Sequence, residues 1–503
     1  MWLVFRAALC DIALMMRKTN RRQFLRAAGA TAAAMAGGLA RARWAQAARN
    51  AGNEKKPNIV FVFIDDMGYG DLSCFGNRGV KTTHIDRLAA EGIRLTNFYV
   101  NSPICSPSRV AVTTGQYPVR HGITSYIAAR NANRQRGMAD WLDPKAATIA
   151  RTLKKAGYAT GHFGKWHMGG GRDVGDAPLP SAYGFDESLV AFEGLGDRVL
   201  VEGHGLSRAN AKLGRGKIQW AAWHERTGMF VDRAIDFTRR NKGTPFYVQL
   251  CPNDVHDPHV PPPGTAEKYA DATDNPHERK LLAVIAEMDG HLGRLFGEID
   301  RLGLAADTLI VLTSDNGPTD WPHYYRQGGS PPGSTGPFFG RKWCLYEGGI
   351  RMPFVARWTG RIPAGRTDET SILAAIDLFP TFCSLANVAP PKGWAFDGRD
   401  MAAALLGTPI ERKGPVFWQY GGARARLRPG NKKYYSPSLA VREGKWKLLV
   451  NPDGSGLQLF DLQADPGEKQ NLAAKHADVA DRLSGAVRAW WRSMPGPRPR
   501  VQT

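Results

Sequence analysis

The chain has 503 residues, 43% of them apolar, and a formal net charge of +21. That length and apolar content imply a globular chain with a large core, in one big domain with an appendage or in two domains. The basic charge raises the question of nucleic acid, but no helix-turn-helix spacing, zinc-finger spacing or aromatic RNA-binding signature accompanies it, so no nucleic-acid partner is expected.

The N-terminal stretch reads as a leader. Arg17 to Ala47 has a basic start, an Ala/Gly-rich run and then Ala45-Gln46-Ala47, an A-x-A cleavage pattern. Arg21-Arg22 followed by Gln23-Phe24-Leu25-Arg26 resembles a twin-arginine export signal, and translation from Met16 leaves the tidier leader. Twin-arginine export machinery and a periplasmic or secreted location are therefore expected. Removing residues 1–47 takes away eight basic residues and one acidic residue, leaving +14. No later run approaches the roughly 20 apolar residues of a membrane span, so stable membrane insertion is not expected. Cys74, Cys105, Cys251, Cys344 and Cys383 remain, an odd and sparse set that argues against a disulfide framework.

From Pro57 onward, short apolar runs alternate with amphipathic segments, the pattern of a parallel sheet covered by helices. Four runs, 58–64, 157–163, 246–250 and 308–313, are apolar on both faces, as strands between two helix layers must be. Each ends in polar residues: Asp65-Asp66, Gly164-Lys165-Trp166-His167, Asn253-Asp254-Val255-His256 and Ser314-Asp315-Asn316-Gly317. In an open α/β sheet ligands bind beyond the carboxyl ends of the strands, so these distant residues are expected to meet on one edge. Helices are predicted over 85–91, 148–156, 229–240 and 278–301. Two Gly/Pro-rich segments, 169–184 and 318–340, are expected to be active-site loops. After about Ala404 short strands are predicted over 416–420, 439–442, 446–450 and 458–462, with a turn at 451–454 and a helix over 472–491. The expected division is a leader (1–47), a catalytic α/β domain (48–404) and a smaller C-terminal antiparallel sheet plus helix (405–503).

The strand ends carry chemistry. Asp65, Asp66, Asp315 and Asn316 are hard oxygen ligands suited to calcium or magnesium, and a divalent cation would relieve the repulsion among three clustered carboxylates. Arg109, Lys165, His167, His256 and Lys342 are the counterpart: donors for the remaining oxygens of a tetrahedral oxyanion, and a proton source for a departing alkoxide. His162 and His259 are read as structural or peripheral. Cys105, between Pro103 and Pro107, is expected just before a helix N-terminus, with Pro107 at a first helical position. A plain thiolate matches a hard cation poorly, and an oxygen at that carbon would fit better.

Cys105-Ser106-Pro107-Ser108-Arg109 resembles the C-x-P-S-R signature of type I sulfatases of the alkaline phosphatase superfamily. The resemblance extends through IDDMGYGD, GKWHMG, HDPH, TSDNG, the segment Lys342 to Pro353, REGKWKLL and LFDLQADPGEKQNL, in that order. It implies an alkaline-phosphatase-like fold, hydrolysis of sulfate monoesters of a carbohydrate or aryl alcohol, and oxidation of Cys105 to Cα-formylglycine by a formylglycine-generating maturation enzyme. It also implies one Ca2+, with Mg2+ as the alternative, on Asp65, Asp66, Asp315, Asn316 and an oxygen of modified residue 105. In the implied mechanism one hydroxyl of the hydrated aldehyde attacks sulfur, held by Arg109 and His167. Lys165 and Lys342 neutralise sulfate oxygens, His256 protonates the leaving alcohol with Lys342 assisting, and the second hydroxyl then expels sulfate.

Two other readings are open at this point. A phosphonate monoester or phosphodiester hydrolase of the same superfamily would use the same constellation on an ester that differs mainly in charge. A non-catalytic binder of sulfated glycans would keep the fold alone. The basic aromatic stretch Ala423 to Tyr435, ARARLRPGNKKYY, could line a cleft for a sulfated polysaccharide or be a solvated loop.

Overall fold

The run NIVFVFI forms strand β1 (Asn58–Ile64), buried at all of its positions because helices cover both faces of the sheet it sits in. The computed structural model describes residues 55–421 and 427–496, and the expected leader lies outside them. After β1 come β2 (Ile93–Leu95), β3 (Phe98–Tyr99), β4 (Ala159–Lys165), β5 (Glu187–Ala191), β6 (Arg198–Val201) and β7 (Ile218–Ala221). They are followed by β8 (Phe246–Cys251), β9 (Thr308–Ser314), β10 (Arg351–Met352), β11 (Phe354–Arg357), β12 (Arg366–Asp368) and β13 (Leu373–Ala374).

Ten of these make one sheet in the order β12-β2-β11-β9-β1-β8-β4-β5-β6-β7, parallel except where β11 runs against β9 and β2. The four strands expected from the sequence are its four adjacent central strands. Two of them, β1 and β9, pair from Asn58 with Thr308 through Ile64 with Ser314, so Asp65 and Asp315 leave the sheet side by side. Leu250 of β8 is opposite both Val62 of β1 and Phe163 of β4, which puts Ile64 and Lys165 at the same level. Strand β4 begins two residues later than its apolar run suggests. Gly157 takes a left-handed φ of +92° and Tyr158 donates its amide to Leu153, so both belong to the end of the helix Ile149–Lys155.

Helices Thr83–Ala90, Arg226–Arg240 and Pro276–Arg301 cover one face, where Val60, Val62, Phe163, Phe230, Ile285, Met288 and Leu292 share a core. On the other face Phe61 meets Phe382, from helix Leu378–Leu385, edge-on at 5.9 Å between ring centres. A small three-stranded sheet, β10-β3-β13, lies beside them. The C-terminal part is a four-stranded antiparallel sheet, β14 (Val416–Gln419), β15 (Leu439–Glu443), β16 (Trp446–Val450) and β17 (Gln458–Asp461). Its apolar face, Leu439, Val441, Leu448, Val450 and Leu459, buries Leu483 and Val487 of helix Ala477–Ser493. The fold is therefore α/β, a mostly parallel sheet between helix layers with a smaller antiparallel sheet and helix.

Buried charge joins this C-terminal sheet, through Glu347, to strand β3 of the three-stranded sheet. Lys447 of β16, fully buried, donates to Glu347 Oε1 at 2.8 Å and lies 2.9 Å from Glu468 Oε1. Glu468 Oε2 in turn accepts the amide of Glu347 at 2.6 Å, and Glu347 Oε2 accepts the Tyr99 hydroxyl at 2.6 Å. Burial and the neighbouring Glu347 push Glu468 up to about 7 despite Lys447. Truncating one partner of such a cluster strands the others without water. Lys447→Met is expected to destabilise the protein by about 3–5 kcal/mol, seen as a lowered midpoint in denaturant unfolding. An unchanged midpoint would mean that the cluster contributes nothing.

Candidate active site

At the carboxyl edge of the sheet the polar strand ends converge. Asp65 and Asp66 follow β1, Lys165 ends β4 and His167 stands two residues on. His256 follows β8, and Asp315 and Asn316 follow β9. Asp65, Asp66, Asp315, Asn316, Arg109, Lys165, His167 and Lys342 are all nearly inaccessible, at 0–2% exposure. His256 is the one partly open member, with a quarter of its side chain exposed.

Cys105 arrives from the other helix layer. It is the first residue of the helix Cys105–Thr114, not the residue before it, and Pro107 sits third instead of first. Ile104, extended at φ −157°, is the cap, and the tight turn places Cys105 at the positive end of the helix dipole. One turn later Arg109 projects under the sheet edge, over the Phe63 ring at 5.5 Å. Its guanidinium donates to Asp315 Oδ2 at 2.7 Å and to the Lys165 carbonyl at 3.0 Å, and lies 3.6 Å from Asp65 Oδ1.

The remaining contacts alternate in sign. Lys165 Nζ donates to Asp65 Oδ2 at 2.6 Å, and Lys342 Nζ donates to both oxygens of Asp66. Asn316 Nδ2 donates to Asp66 Oδ1 at 2.8 Å, and the Asp66 amide donates to Asp315 Oδ1 at 3.1 Å. His256 Nε2 lies 3.6 Å from Asp66 Oδ2. The loop carrying Lys342 is pinned by close backbone approach: a Cβ on Gly317 would stand 2.0 Å from the Gly348 carbonyl oxygen. Asp66, His167 and Trp343 all take left-handed φ values, 60°, 50° and 71°, unusual for side chains of this size and of order 1–3 kcal/mol in strain each. Such strain is concentrated at functional sites because packing elsewhere must hold it.

The electrostatics follow from burial against charge. Burial alone would raise Asp65, yet Lys165, His256, Arg109 and Lys342 hold it well below the usual carboxylate range. Asp66 is lowered in the same way, against burial, by His256 and Lys342. Asp315 goes the other way: burial and the charge of Asp65 push it well above that range. Burial and the Lys165 ammonium take His167 down to about 3, so its ring is neutral. Its Nε2 faces the Ile127 carbonyl at 3.1 Å, so that nitrogen carries the hydrogen, and Nδ1 is a buried acceptor without a partner.

The donor set fits a hard divalent cation. Asp65 Oδ1 and Asn316 Oδ1 are buried oxygens without a hydrogen-bond partner among the described residues, an expensive condition that Arg109, 3.6 Å from Asp65 Oδ1, relieves only in part. Oxygen atoms of Asp65 and Asp66 lie within 4.8 Å of each other and of a His256 ring nitrogen. A cation here would draw Asp315 back to its ionised form.

A cavity of about 350 Å3 opens from this centre. Besides Asp65, Cys105, Lys165, His167, His256 and Lys342 it is lined by Tyr126, Arg172, Phe192, Glu193, Trp223, Trp321 and Trp343, among others. This outer wall, built largely on β5, β6 and the segment before helix Arg226–Arg240, is not predicted from the sequence, because its strands are short and carry no motif. Of the two expected active-site loops, 169–184 contributes Arg172 to the lining and 318–340 contributes Trp321. The Gly/Pro core of the second loop instead braces the turn after β1, where Gly70 donates its amide to the Ser334 carbonyl at 2.9 Å and Ser334 donates its own to Asp71 Oδ1 at 2.6 Å. His162 packs edge-on against Trp166 and Phe185, outside the cavity lining.

Known proteins resemble this chain over most of its length. A family model described as Sulfatase matches residues 57–388, and one described as N-sulphoglucosamine sulphohydrolase, C-terminal, matches residues 335–489. The chain is 32% identical over 494 residues to an N-acetylgalactosamine-6-O-sulfatase of Bacteroides thetaiotaomicron, covering 86% of this chain and 93% of that protein. The solved structure of Ps i-CgsB in complex with k-i-k-neocarrahexaose superposes with a TM-score of 0.72 at 26% identity, covering 89% of this chain and 96% of that one. A phosphonate monoester hydrolase of Agrobacterium radiobacter shares the fold, with a TM-score of 0.60 at 21% identity and coverage of 88% and 96%.

The unpartnered oxygens lead to a binding prediction independent of turnover. Calcium at a hundred times its dissociation constant is expected to stabilise the protein by about 2.7 kcal/mol, and a chelator should reverse the effect. Asn316→Ala should remove most of the calcium-dependent shift in melting temperature. A shift of equal size in that variant would place the cation elsewhere.

Proposed function

The chain belongs to the sulfatase family, the sulfuric ester hydrolases, and on that premise we propose that it removes sulfate from a carbohydrate sulfate monoester. The proposal includes oxidation of Cys105 to Cα-formylglycine and one calcium ion held by Asp65, Asp66, Asp315 and Asn316, with residue 105 itself as a further ligand. The observation that carries it is the meeting, in one buried pocket, of Cys105 at a helix start, three carboxylates and three cationic side chains. The carbohydrate reading is supported by the relative named as an N-acetylgalactosamine-6-O-sulfatase.

When bound, calcium would supply positive charge for the ester oxygens and for an oxygen nucleophile at residue 105. The hydrated aldehyde would supply that nucleophile. The chain's own residues do the rest. Lys165 and Lys342 each bring an ammonium to the pocket beside the carboxylates, where they can hold the non-bridging oxygens of a sulfate. Arg109 fixes Asp315 and Asp65 from below the strand ends. His167, neutral and with Nδ1 free to accept, is placed to take a proton from a hydroxyl at residue 105. His256 Nδ1 faces the Asp257 carbonyl at 2.6 Å and so holds a hydrogen there, which leaves Nε2 to carry the transferable proton toward a leaving alcohol. Burial lowers His256 to about 4 even though Asp66 raises it, and the negative charge of a bound sulfate ester would raise it further toward protonation. The pocket lies beyond strand ends that exclude water, so each of these interactions acts at low dielectric.

We further propose that residues 1–47 are a twin-arginine-type leader that exports the protein to the periplasm or beyond, after a maturation enzyme has acted on Cys105 in the cytoplasm. This accords with the free thiols at Cys74, Cys105, Cys251, Cys344 and Cys383.

Mass spectrometry of the peptide spanning residue 105, from protein made with a formylglycine-generating enzyme, should show the aldehyde in place of the thiol. Cys105→Ala is expected to lower kcat/KM on an aryl sulfate by about 10^4-fold or more, and intact thiol in a fully active enzyme would contradict the proposal. Wild-type turnover of an aryl phosphodiester faster than of the matching aryl sulfate would favour the phosphodiesterase reading instead. His256→Ala should cost about 10^2–10^4-fold on a sugar sulfate and much less on a nitrophenyl sulfate, whose leaving group needs no proton. Equal losses on both would remove His256 from the acid role.

A further inference from the structure

The basic aromatic stretch near the C-terminal sheet is not used by the chemistry above, yet it is tied to the rim of the cavity. Half-buried Leu427 lines the cavity, and the next residue, Arg428, is exposed. Lys432 and Lys433 follow on a short turn (Lys432–Tyr434), also exposed, beside Tyr435 at 36% exposure. Among the described residues none of these three cations forms an ion pair.

Residues 427–435 are tied to the site by hydrogen bonds. Tyr420 donates its hydroxyl to the Leu427 carbonyl at 2.9 Å. The Gly430 amide donates to the Asp320 carbonyl at 2.7 Å, and the Asn431 amide donates to Asp320 Oδ2 at 3.1 Å. Asp320 directly precedes Trp321, a cavity residue packed edge-on against Trp343 at 4.7 Å. Tyr434 packs on Phe339 at 5.2 Å, and the cations lie over rings of the same stretch, Arg428 over Tyr435 at 5.1 Å and Lys433 over Tyr434 at 4.8 Å. Three exposed cations on an anchored backbone cost less to order around an anion than three on a loose loop.

Size completes the argument. A cavity of about 350 Å3 is at the small end of ligand sites, room for one or two sugar rings beside the sulfate and not for a chain. A glycan longer than that has to extend over the rim, and Leu427 puts Arg428 beside that rim.

We propose that Arg428, Lys432 and Lys433 form a second anion subsite, which takes a sulfate or carboxylate on a sugar neighbouring the one in the cavity. The substrate class is then an oligosaccharide carrying repeated anionic groups, and the enzyme discriminates it from a single sulfated sugar. This inference rests on the sulfate-ester reading above, and the two can fail separately.

The test uses the full chain with Cys105→Ala, which binds without turnover, with and without Arg428→Ala, Lys432→Ala and Lys433→Ala together. Titration calorimetry with a chondroitin 6-sulfate hexasaccharide and a heparin hexasaccharide at low salt should show the triple change weakening the tighter of the two about five- to tenfold. The difference should shrink at high salt as the charges are screened. In the matured enzyme the triple variant should keep its kcat/KM on nitrophenyl sulfate, a control that bears on the sulfatase reading alone. Equal binding by the two proteins, no detectable binding of either hexasaccharide, or equally tight binding of a single-stranded DNA of matched charge would overturn the proposal.

Discussion

Everything at this site depends on forcing like charges together out of water. Asp65, Asp66 and Asp315 stand within a few side-chain contacts of one another, all at 0–1% exposure, because the paired parallel strands β1 and β9 end at the same level. Lys165, Lys342 and Arg109 offset much of that repulsion, one cation per carboxylate. The offset is incomplete: Asp315 still rises well above the usual range, and two buried oxygens find no hydrogen bond among the described residues. A site left short of positive charge in this way is built for more of it, which a divalent cation and the polarised oxygens of an ester can exchange between them.

The rest of the molecule can be read as the support for that arrangement. The central strands set the level of the charges, and the helix Cys105–Thr114 brings residue 105 and Arg109 up from the opposite layer. Lys342 comes from a loop rather than a strand end, and loops are ordinarily the mobile parts of a fold. Here Lys342 is tied by its own amide to the Pro318 carbonyl, Gly348 presses against Gly317, and Glu347, five residues on, is held by Lys447 of β16 and by Glu468 of the segment after β17. The C-terminal sheet therefore adds to the support of this segment through packing, beside the backbone bonds from Lys342 to Pro318 and from Trp343 to Pro103.

Much of this was legible in the chain. Apolar runs ending in DD, GKWH and SDNG identify strands and their carboxyl edge, because a strand between two helix layers must be apolar throughout while a ligand site must not. The C-terminal strands were readable as short runs around the turn at 451–454. What escaped was whatever lacks period or motif. Strands β5 and β6 are five and four residues long and contribute to the cavity wall, and Phe192, Glu193 and Trp223, just beyond β5 and β7, enter the site unannounced. The left-handed backbone at Asp66, His167 and Trp343 is equally invisible: Asp and His adopt it more often than most side chains, but too rarely to mark any one position. Cys105 was displaced by a single helical position: proline is favoured at the first turn as a whole, and here it occupies the third residue.

The central claim is that an oxidised side chain at position 105 and the carboxylates of distant strands share one hard cation. Anomalous X-ray diffraction from crystals of the matured protein grown with calcium addresses it directly. The account predicts one strong calcium peak bounded by Asp65, Asp66, Asp315 and Asn316, with oxygen and no sulfur on the side chain of residue 105. A peak elsewhere, no peak, or an unoxidised thiol facing the ion would contradict it.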